Sequence, residues 1–223
     1  MAEKLSWQDA ETIALLTTAL QANQVCLGTS DTVLGLLAPV TNEGARALDR
    51  VKKRAQKPYI VLIDQKQKLD HFVQVQWRTP LLKLIDHCWP GPLTLIFKLN
   101  QQPEQAFLQK QGDTLAVRVP DHVGLRQLLA NFPGLFSTSA NLAGQAVPTL
   151  LAEVDPELLA KVAYVVLDEL SSEPVPLGVY GALPSTILDC SGLTAVGGKI
   201  KVVRAGAYEV PVLEQIYGER FEG

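Results

Sequence analysis

The stretch LAVRVPDHVGLRQLLANFPGLFSTSAN, residues 115–141, contains the pattern that decides the fold. It begins with an apolar run, Leu115–Val119, which is typical of a β-strand. Apolar residues then recur at helical spacing over about Val123–Ala130, and a second short apolar run follows at Leu135–Thr138. A strand, a helix and a strand in direct succession indicate an α/β protein.

The same alternation continues in both directions along the chain. An amphipathic helix is predicted near the start, with Ser6 and Asp9 as candidate caps. Further strands are predicted at residues 25–27, 59–63, 93–97, 164–167, 186–189 and 200–204, and further helices at about 43–53 and 80–87. Gly197-Gly198 ahead of the last strand favours a hairpin, so the sheet is expected to be mixed. With no repeat or linker in view, we predict one domain over residues 1–223, built on a twisted open mixed sheet flanked by helices.

The composition excludes several classes of protein. Apolar residues make up 47% of the 223 residues and charged ones 19%, which is too apolar for a disordered chain. Twenty Lys and Arg against 23 Asp and Glu give a net charge of −3, so an anion site requires a local cluster of cations. Cys26, Cys88 and Cys190 form no CxxC pair and predict a reducing cytosol rather than disulfides or zinc.

Several familiar signatures are missing from the sequence. The polar, acidic opening MAEKLSWQDAE is not that of a signal peptide, and the uncharged stretches contain too many polar residues for a membrane helix. Neither GxGxxG nor GxxxxGK[ST] occurs, and there is no GxSxG elbow. His87 and Cys88 are adjacent, but catalytic Cys/His pairs usually come from separate elements.

Polar clusters do occur at the ends of the predicted strands and helices. They are Thr29–Thr32, Lys52–Arg54, Trp89–Thr94, Arg118, Ser137–Asn141, Pro184–Thr186 and Arg204–Gly206. Hydroxyls, amides and a few isolated cations at strand ends are typical of a crevice that holds a polar, anionic ligand.

Each cluster also has a structural interpretation. Hydroxyl runs are commonly turns and helix caps, and Lys52–Arg54 suits the end of a helix as a solvated face. Arg118 requires an anionic partner if its face of the strand is covered by other parts of the protein. Otherwise its side chain lies on a solvent-exposed face of the sheet. Taken singly, no cluster identifies a function.

In their order along the chain, these clusters resemble the threonylcarbamoyl-AMP synthase family of YrdC-like proteins. The correspondence covers about residues 8–208. Residues 30–36 resemble the family's PTDTVYGL loop, Lys52-x-Arg54 its KxR motif, and residues 89–94 its WPGPxT element. Residues 115–122 are similar to AVRxPxH, residues 139–149 to SANxSGxxxxT, residues 184–189 to PSTIxD, and residues 204–206 to the closing RxGA.

This resemblance implies a YrdC-like fold with a large central cavity and an ATP-dependent synthase. Members join L-threonine, bicarbonate and ATP into threonylcarbamoyl-AMP and pyrophosphate, for modification of the adenosine next to the anticodon of tRNA. The resemblance places the threonine end at Ser30, Arg118, Ser137 and Ser185, and the nucleotide end at Lys52, Arg54, Thr114, Ser139, Asn141 and Arg204. Lys52, Arg54, Ser139 and Asn141 would be the catalytic residues, since fixed cations and donors stabilise the charge that gathers at the reacting phosphate.

The resemblance also implies substrates and partners. Mg²⁺ would accompany the ATP, with no metal site of the protein's own. The expected setting is the cytoplasm, away from membranes, with contact to tRNA and to a complex of tRNA-modification transferases.

The sequence departs from the family pattern at several positions. Thr29 replaces the loop proline, Ser30 its threonine and Leu34 its aromatic residue, while Ala55 replaces the proline after KxR and Ala143 the serine after SAN. Loss of the proline and the aromatic residue is expected to change the shape of the amino-acid pocket, and the departures together bear on the identity of the substrate more than on the fold. Two other hypotheses stay open: an RNA-binding or regulatory protein without synthase activity, and a synthase acting on another carbamate.

Overall fold

The computed structural model describes residues 2–53, 58–100, 102, 106–109, 112–168 and 183–223. Within these ranges, strands and helices alternate along the chain. They are β1 (Glu3–Ser6), α1 (Thr12–Gln21), β2 (Cys26–Gly28), β3 (Gly35–Pro39), α2 (Asn42–Lys52), β4 (Ile60–Leu62), α3 (Leu69–Phe72), β5 (Val73–Gln74), α4 (Thr79–Cys88), β6 (Leu93–Leu99), α5 (Ala106–Gln109), β7 (Thr114–Arg118), α6 (Val123–Leu129), β8 (Leu135–Ser139), α7 (Pro156–Leu159), β9 (Tyr164–Leu167), β10 (Thr186–Asp189), β11 (Lys201–Arg204) and α8 (Val210–Tyr217).

The strands join into one mixed sheet. Their order is β1-β9-β2-β3-β8-β4-β7-β6-β10-β11, and β5 pairs with β6 outside this path. β9 runs parallel to β1 and β2, whereas β8 lies antiparallel between β3 and β4. The predicted mixed α/β sheet flanked by helices is confirmed, while the single domain over residues 1–223 stays a prediction.

Alternation along the central strands gives the sheet two different faces. On one face, Leu36 and Phe136 pack in a large apolar cluster to which α2, α4 and α8 contribute. On the other, Leu37 and Leu135 pack in a smaller cluster with α1 and α6, which contact each other. The functional site lies on this second face, beyond the area that the two helices cover.

The elements that the sequence missed have weak local patterns. β1 contains only one apolar residue, Leu5, and forms by pairing with β9. The predicted caps Ser6 and Asp9 are wrong, because α1 begins at Thr12 without a side-chain cap. Ser6 Oγ instead accepts from Gln8 N, and the Asp9 carboxylate accepts from Ser6 N, so both residues hold the turn before the helix.

The helices that the structure describes differ from membrane-spanning helices. None of them combines the length and the apolar character that a membrane crossing requires.

Candidate functional site

A cavity of about 320 Å³, with a lining that is partly polar and partly apolar, opens over the middle of the sheet. Its volume is in the range of small-molecule sites. Its polar lining consists of Thr29, Ser30, Thr32, Arg118, Ser137, Thr138, Ser139, Ser185 and Arg204. The structure therefore brings together six of the predicted site residues, from five separate segments of the chain: Ser30, Arg118, Ser137, Ser139, Ser185 and Arg204.

The serines of β8 face the cavity because side chains along a strand alternate between the two faces. Ser139 lies opposite Gly35 of β3, and Ser137 lies opposite Ile60 of β4. A Cβ atom on Gly35 would approach the Ser137 Oγ to 3.2 Å, so the glycine leaves space beside this hydroxyl. Backbone register thus produces a row of two hydroxyls on the uncovered part of the sheet.

Ser30 lines the cavity, but its hydroxyl bonds within its own turn. The Oγ donates to the Val33 carbonyl at 3.0 Å and accepts from the Thr32 backbone N–H at 3.2 Å. The expected hydroxyl run is therefore a turn as well as part of the cavity wall. At this position the structural and functional interpretations both apply.

Arg118 ends β7 as a buried cation with a buried partner. Its Nη1 donates to Asp31 Oδ1 at 3.0 Å, and the two side chains are 6% and 0% exposed. Burial lowers the pKa of the Arg118 guanidinium, and the negative charge of Asp31 opposes that shift. The second oxygen, Asp31 Oδ2, is buried without a hydrogen-bond partner in the part of the chain that the structure describes. The covered-face interpretation of Arg118 is correct.

Arg204 ends β11 and approaches the same cavity. Its Nε and Nη2 donate to the Ser185 carbonyl at 3.1 and 2.8 Å, and Nη2 also lies 3.1 Å from Ser185 Oγ. Ser185 Oγ is a further 2.8 Å from Thr94 Oγ1. Arg204 is exposed to solvent. Desolvation of the part that faces the protein lowers the pKa of its guanidinium, and the positive charge of Arg118 lowers it further. Two guanidinium groups that repel each other across a cavity are suited to an anionic ligand.

Lys52 is not on a solvated face, and that interpretation is wrong. It is the last residue of α2, only 2% exposed. Its Nζ donates to the carbonyl of Ser139 at 2.7 Å, to the carbonyl of Asn141, and to Asn141 Oδ1 at 3.1 Å. The buried ammonium therefore fastens the loop after β8, which is where the resemblance places the nucleotide.

The loop after β8 has its own polar network. Ser139 Oγ donates to Asn141 Oδ1 at 2.6 Å, and Asn141 Nδ2 donates to the Gln145 carbonyl at 2.7 Å. Gln145 Nε2 reaches Asp155 Oδ2 at 3.3 Å, just before α7. Asn141 lies one hydrogen bond behind Ser139 and is absent from the described cavity lining.

Two other residues predicted to contact the nucleotide, Thr114 and Arg54, are not among the described residues of the cavity lining. Thr114 begins β7 and shares a strand face with Arg118, but roughly 13 Å of strand separate them. It is not among the described residues of the cavity lining, and its contact with a nucleotide stays a prediction. Arg54 and Ala55 lie outside the described residues.

Sequence reasoning missed Asp31 as a site residue. It lies beside Ser30 in the loop that carried the resemblance, and a buried Arg118 needs an anionic partner. Those two signals together would have found it. Trp7 gave no comparable signal: its Nε1 donates to Thr29 Oγ1 at 2.9 Å from 22 residues away.

The described part of the site has no cluster of side chains for a metal of its own. Among the described residues, no group of three or more His, Cys, Asp or Glu side chains could hold an ion, and none of the described lining residues is Asp or Glu. The residues present do not fit a resident Mg²⁺.

Comparison with known sequences gives one consistent family. The Sua5/YciO/YrdC family model, described as "Telomere recombination", matches residues 18–206. The threonylcarbamoyl-AMP synthase of Pseudoalteromonas translucida is 32% identical over 197 residues, which are 86% of this chain and 97% of that protein. The enzyme of the same name from Vibrio campbellii is 31% identical over 175 residues, 76% of this chain and 94% of that protein.

Solved structures agree on the fold. Sua5 of P. abyssi, crystallised with L-threonine, superposes over 100% of this chain with a TM-score of 0.82 and 21% identity; this chain spans 62% of the length of that Sua5. YciO of E. coli gives a TM-score of 0.75 at 19% identity over 94% of this chain and 98% of its own. The family model and the two synthase relatives confirm the resemblance to the threonylcarbamoyl-AMP synthase family of YrdC-like proteins: this chain belongs to the Sua5/YciO/YrdC family.

Proposed function

We propose that this protein is an L-threonylcarbamoyladenylate synthase, which converts L-threonine, bicarbonate and ATP into threonylcarbamoyl-AMP and pyrophosphate. The relatives named threonylcarbamoyl-AMP synthase support the proposal, and the arrangement of charge in the cavity supports it independently. The product would serve threonylcarbamoyladenosine modification of tRNA.

The observation that carries the proposal is the pair Arg118 and Arg204. Both approach one cavity, and the single carboxylate paired with them is Asp31 on Arg118, among the residues that the structure describes. Desolvation lowers the pKa of Arg204 and the positive charge of Arg118 lowers it further, so the two guanidinium groups repel each other while no anion lies between them. A carboxylate and phosphate groups are anions that this arrangement would stabilise.

The reaction brings several negative charges together. The threonine amine attacks the carbon of bicarbonate, a C–N bond forms, and water leaves to give a carbamate. A carbamate oxygen then attacks the α-phosphorus of ATP, and the bond to the β-phosphate oxygen breaks, releasing pyrophosphate. Preorganised cations and donors stabilise such a transition state without any covalent intermediate on the protein.

The proposal assigns two ends to the site. The threonine end comprises Ser30, Arg118, Ser137 and Ser185, and the nucleotide end comprises Lys52, Arg54, Thr114, Ser139, Asn141 and Arg204. The buried contacts of Lys52 refine its part: it holds Ser139 and Asn141 in place for the nucleotide. ATP would enter as its magnesium complex.

The setting and partners are part of the proposal. Cys26, Cys88 and Cys190 are free and buried, and burial raises the pKa of Cys26 to about 12 and that of Cys88 to about 11. Unpaired thiols of this kind suit the cytoplasm. The labile adenylate would pass to a transferase complex that acts on tRNA.

Pyrophosphate release from ATP tests the function directly. We expect release only when threonine and bicarbonate are both present, with omission of either as the control. Arg204→Gln should reduce release by a hundredfold or more, on the order of the loss of one transition-state donor. Release that does not depend on threonine would refute the assignment, and RNA binding without any release would favour the regulatory alternative.

A further inference from the structure

Four distant segments meet behind the cavity wall at Thr29. Trp7 precedes α1, Thr29 follows β2, His122 precedes α6 and Asp168 follows β9. Trp7 Nε1 donates to Thr29 Oγ1 at 2.9 Å, and both residues are buried. Thr29 itself lines the cavity next to Ser30. The network therefore contacts the wall of the site from outside.

The hydrogen bonds of this network have a defined direction. His122 Nδ1 accepts from the Leu125 N–H at 3.1 Å, so in the neutral ring Nε2 carries the proton and donates to Asp168 Oδ1 at 2.7 Å. An indole N–H can only donate, so the Thr29 hydroxyl accepts from Trp7 and keeps its own proton to donate. The pKa of Asp168 is lowered by the hydrogen bond from His122, and the Thr29 hydroxyl adds to this shift.

Close packing holds the indole in place. The rings of Trp7 and His122 lie 5.3 Å apart. A Cβ atom on Gly124 would approach Trp7 Cε3 to 2.7 Å, and one on Gly28 would approach Trp7 Cζ2 to 3.3 Å. Gly124 leaves room for the ring only because it is a glycine, and Gly28 packs closely against the ring as well, so the donor to Thr29 has little freedom to move.

We propose that Trp7, Thr29, His122 and Asp168 form a positioning network that fixes the wall of the amino-acid pocket at Thr29-Ser30; this inference rests on the proposed function. Thr29 stands where the resembling loop has proline. A proline ring restricts its own backbone, whereas threonine leaves it freer. The hydroxyl network supplies the missing restraint through neighbours that proline could not bind.

Two substitutions at Thr29 distinguish the effect of its hydroxyl group from the effect of its side-chain volume. Thr29→Val keeps the shape but strands the buried Trp7 N–H, and Thr29→Ser keeps the hydroxyl. We expect Thr29→Val to raise KM for threonine on the order of tenfold, because a wall released from Trp7 must be ordered again when threonine binds. KM for ATP should stay within about twofold of the parent value, and Thr29→Ser should restore the affinity for threonine. Thr18→Val is the matched control, since Thr18 Oγ1 bonds the Ala14 carbonyl on the exposed side of α1.

A second substitution tests the network from its exposed end. The Asp168 side chain is 51% exposed, so Asp168→Asn is unlike a core substitution and should leave the protein folded. It should raise KM for threonine in the same direction as Thr29→Val, and the double variant should be no worse than the more affected single variant. Titration calorimetry with threonine on each folded variant gives the same comparison without catalysis.

The outcomes distinguish this inference from the proposed function. Selective loss of threonine affinity in both variants, with rescue by Thr29→Ser, supports the network. Parent-like threonine affinity in Thr29→Val and Asp168→Asn overturns it, as does an equal rise in KM for ATP. A parent protein that neither binds threonine nor releases pyrophosphate overturns the proposed function as well.

Discussion

Replacing Lys52 with methionine tests how the loop after β8 is held. Methionine nearly matches the length of the lysine side chain but has no donor for the carbonyls of Ser139 and Asn141. Stranding a buried carbonyl costs about 1–3 kcal/mol. The variant also no longer buries an ammonium group, which offsets part of that cost. Two stranded carbonyls together would cost about 2–6 kcal/mol. Because the ammonium no longer has to be buried, we expect the free energy of unfolding to fall by about 2–3 kcal/mol, near the lower end of that range.

The same substitution should affect the reaction more than the fold. Without the ammonium, Asn141 Oδ1 keeps only the donor from Ser139, and the loop loses its attachment to α2. Pyrophosphate release should fall by a hundredfold or more, because a site must hold its donors before the transition state forms. Denaturant unfolding and pyrophosphate release are measured on the same preparation.

The neighbouring lysine is the matched control. Lys53 is exposed and pairs with Glu157 at the surface, so Lys53→Met should keep the parent's unfolding midpoint and turnover. If Lys52→Met also keeps both, the buried contacts of Lys52 do not hold the site. Equal losses in the two variants would instead assign the effect to the helix end as a whole.

Other changes have expected outcomes of their own. Asn141→Ala should weaken ATP binding by about 1–3 kcal/mol in calorimetry, and unchanged affinity would remove it from the nucleotide end. Asp31→Asn should lower the free energy of unfolding by about 3–5 kcal/mol in denaturant, because the Arg118 charge stays buried without its partner; a smaller change than about 1 kcal/mol would contradict this. The pKa of Asp168 lies below its ordinary value of 3.8, chiefly through His122, so the carboxylate stabilises the fold above about pH 4. The stability advantage of the parent over Asp168→Asn should therefore shrink as the pH falls below 4, and an advantage that is independent of pH would refute the reasoning. In competition assays of pyrophosphate release, threonine should be preferred over serine and both strongly over valine, and equal use of serine and valine would mean that the hydroxyl is not recognised.

The sheet could be predicted from the sequence because its inner strands appear there as continuous runs of apolar residues. Residues 115–119 and 135–138 became β7 and β8 within one residue at each end. β3 was missed because it begins at Gly35, ends at Pro39 and directly follows a loop rich in hydroxyls. It forms by pairing with β2 and β8, and such partners are not visible in a local pattern.

The site residues were predictable as a set, but their partners were not. Order along the chain identified Arg118 and Arg204, and both lie at the cavity. The interpretation of Lys52 as a solvated cation followed from its place at a helix end, where such charges are common. Burial at that end depends on β8 and its loop, 87 residues later in the chain. Long-range contacts of this kind decide whether a charged residue contacts the ligand or holds a loop.

Two of the departures from the family loop, Thr29 and Ser30, line the cavity, whereas Leu34 is buried in the large apolar cluster on the other face of the sheet. The changes at residues 29 and 30 therefore bear on the preference for threonine. Thr29 is bound from behind by Trp7, and the Ser30 hydroxyl is used by its own turn. Arg118 and Arg204, which would bind the charged groups, lie outside this loop. The departures in the loop should therefore leave the binding of the substrates' charged groups by these two arginines unchanged. The fit around the methyl group of threonine depends instead on the cavity wall at residues 29–30. A substrate that lacks one methyl group loses only about 1–3 kcal/mol of transition-state binding. A substrate that leaves a buried polar group of the site unpaired can lose a factor of about ten thousand in kcat/KM. A variant in which this wall is loosened, such as Thr29→Val, should therefore discriminate less between threonine and serine than the parent does, and should still exclude valine.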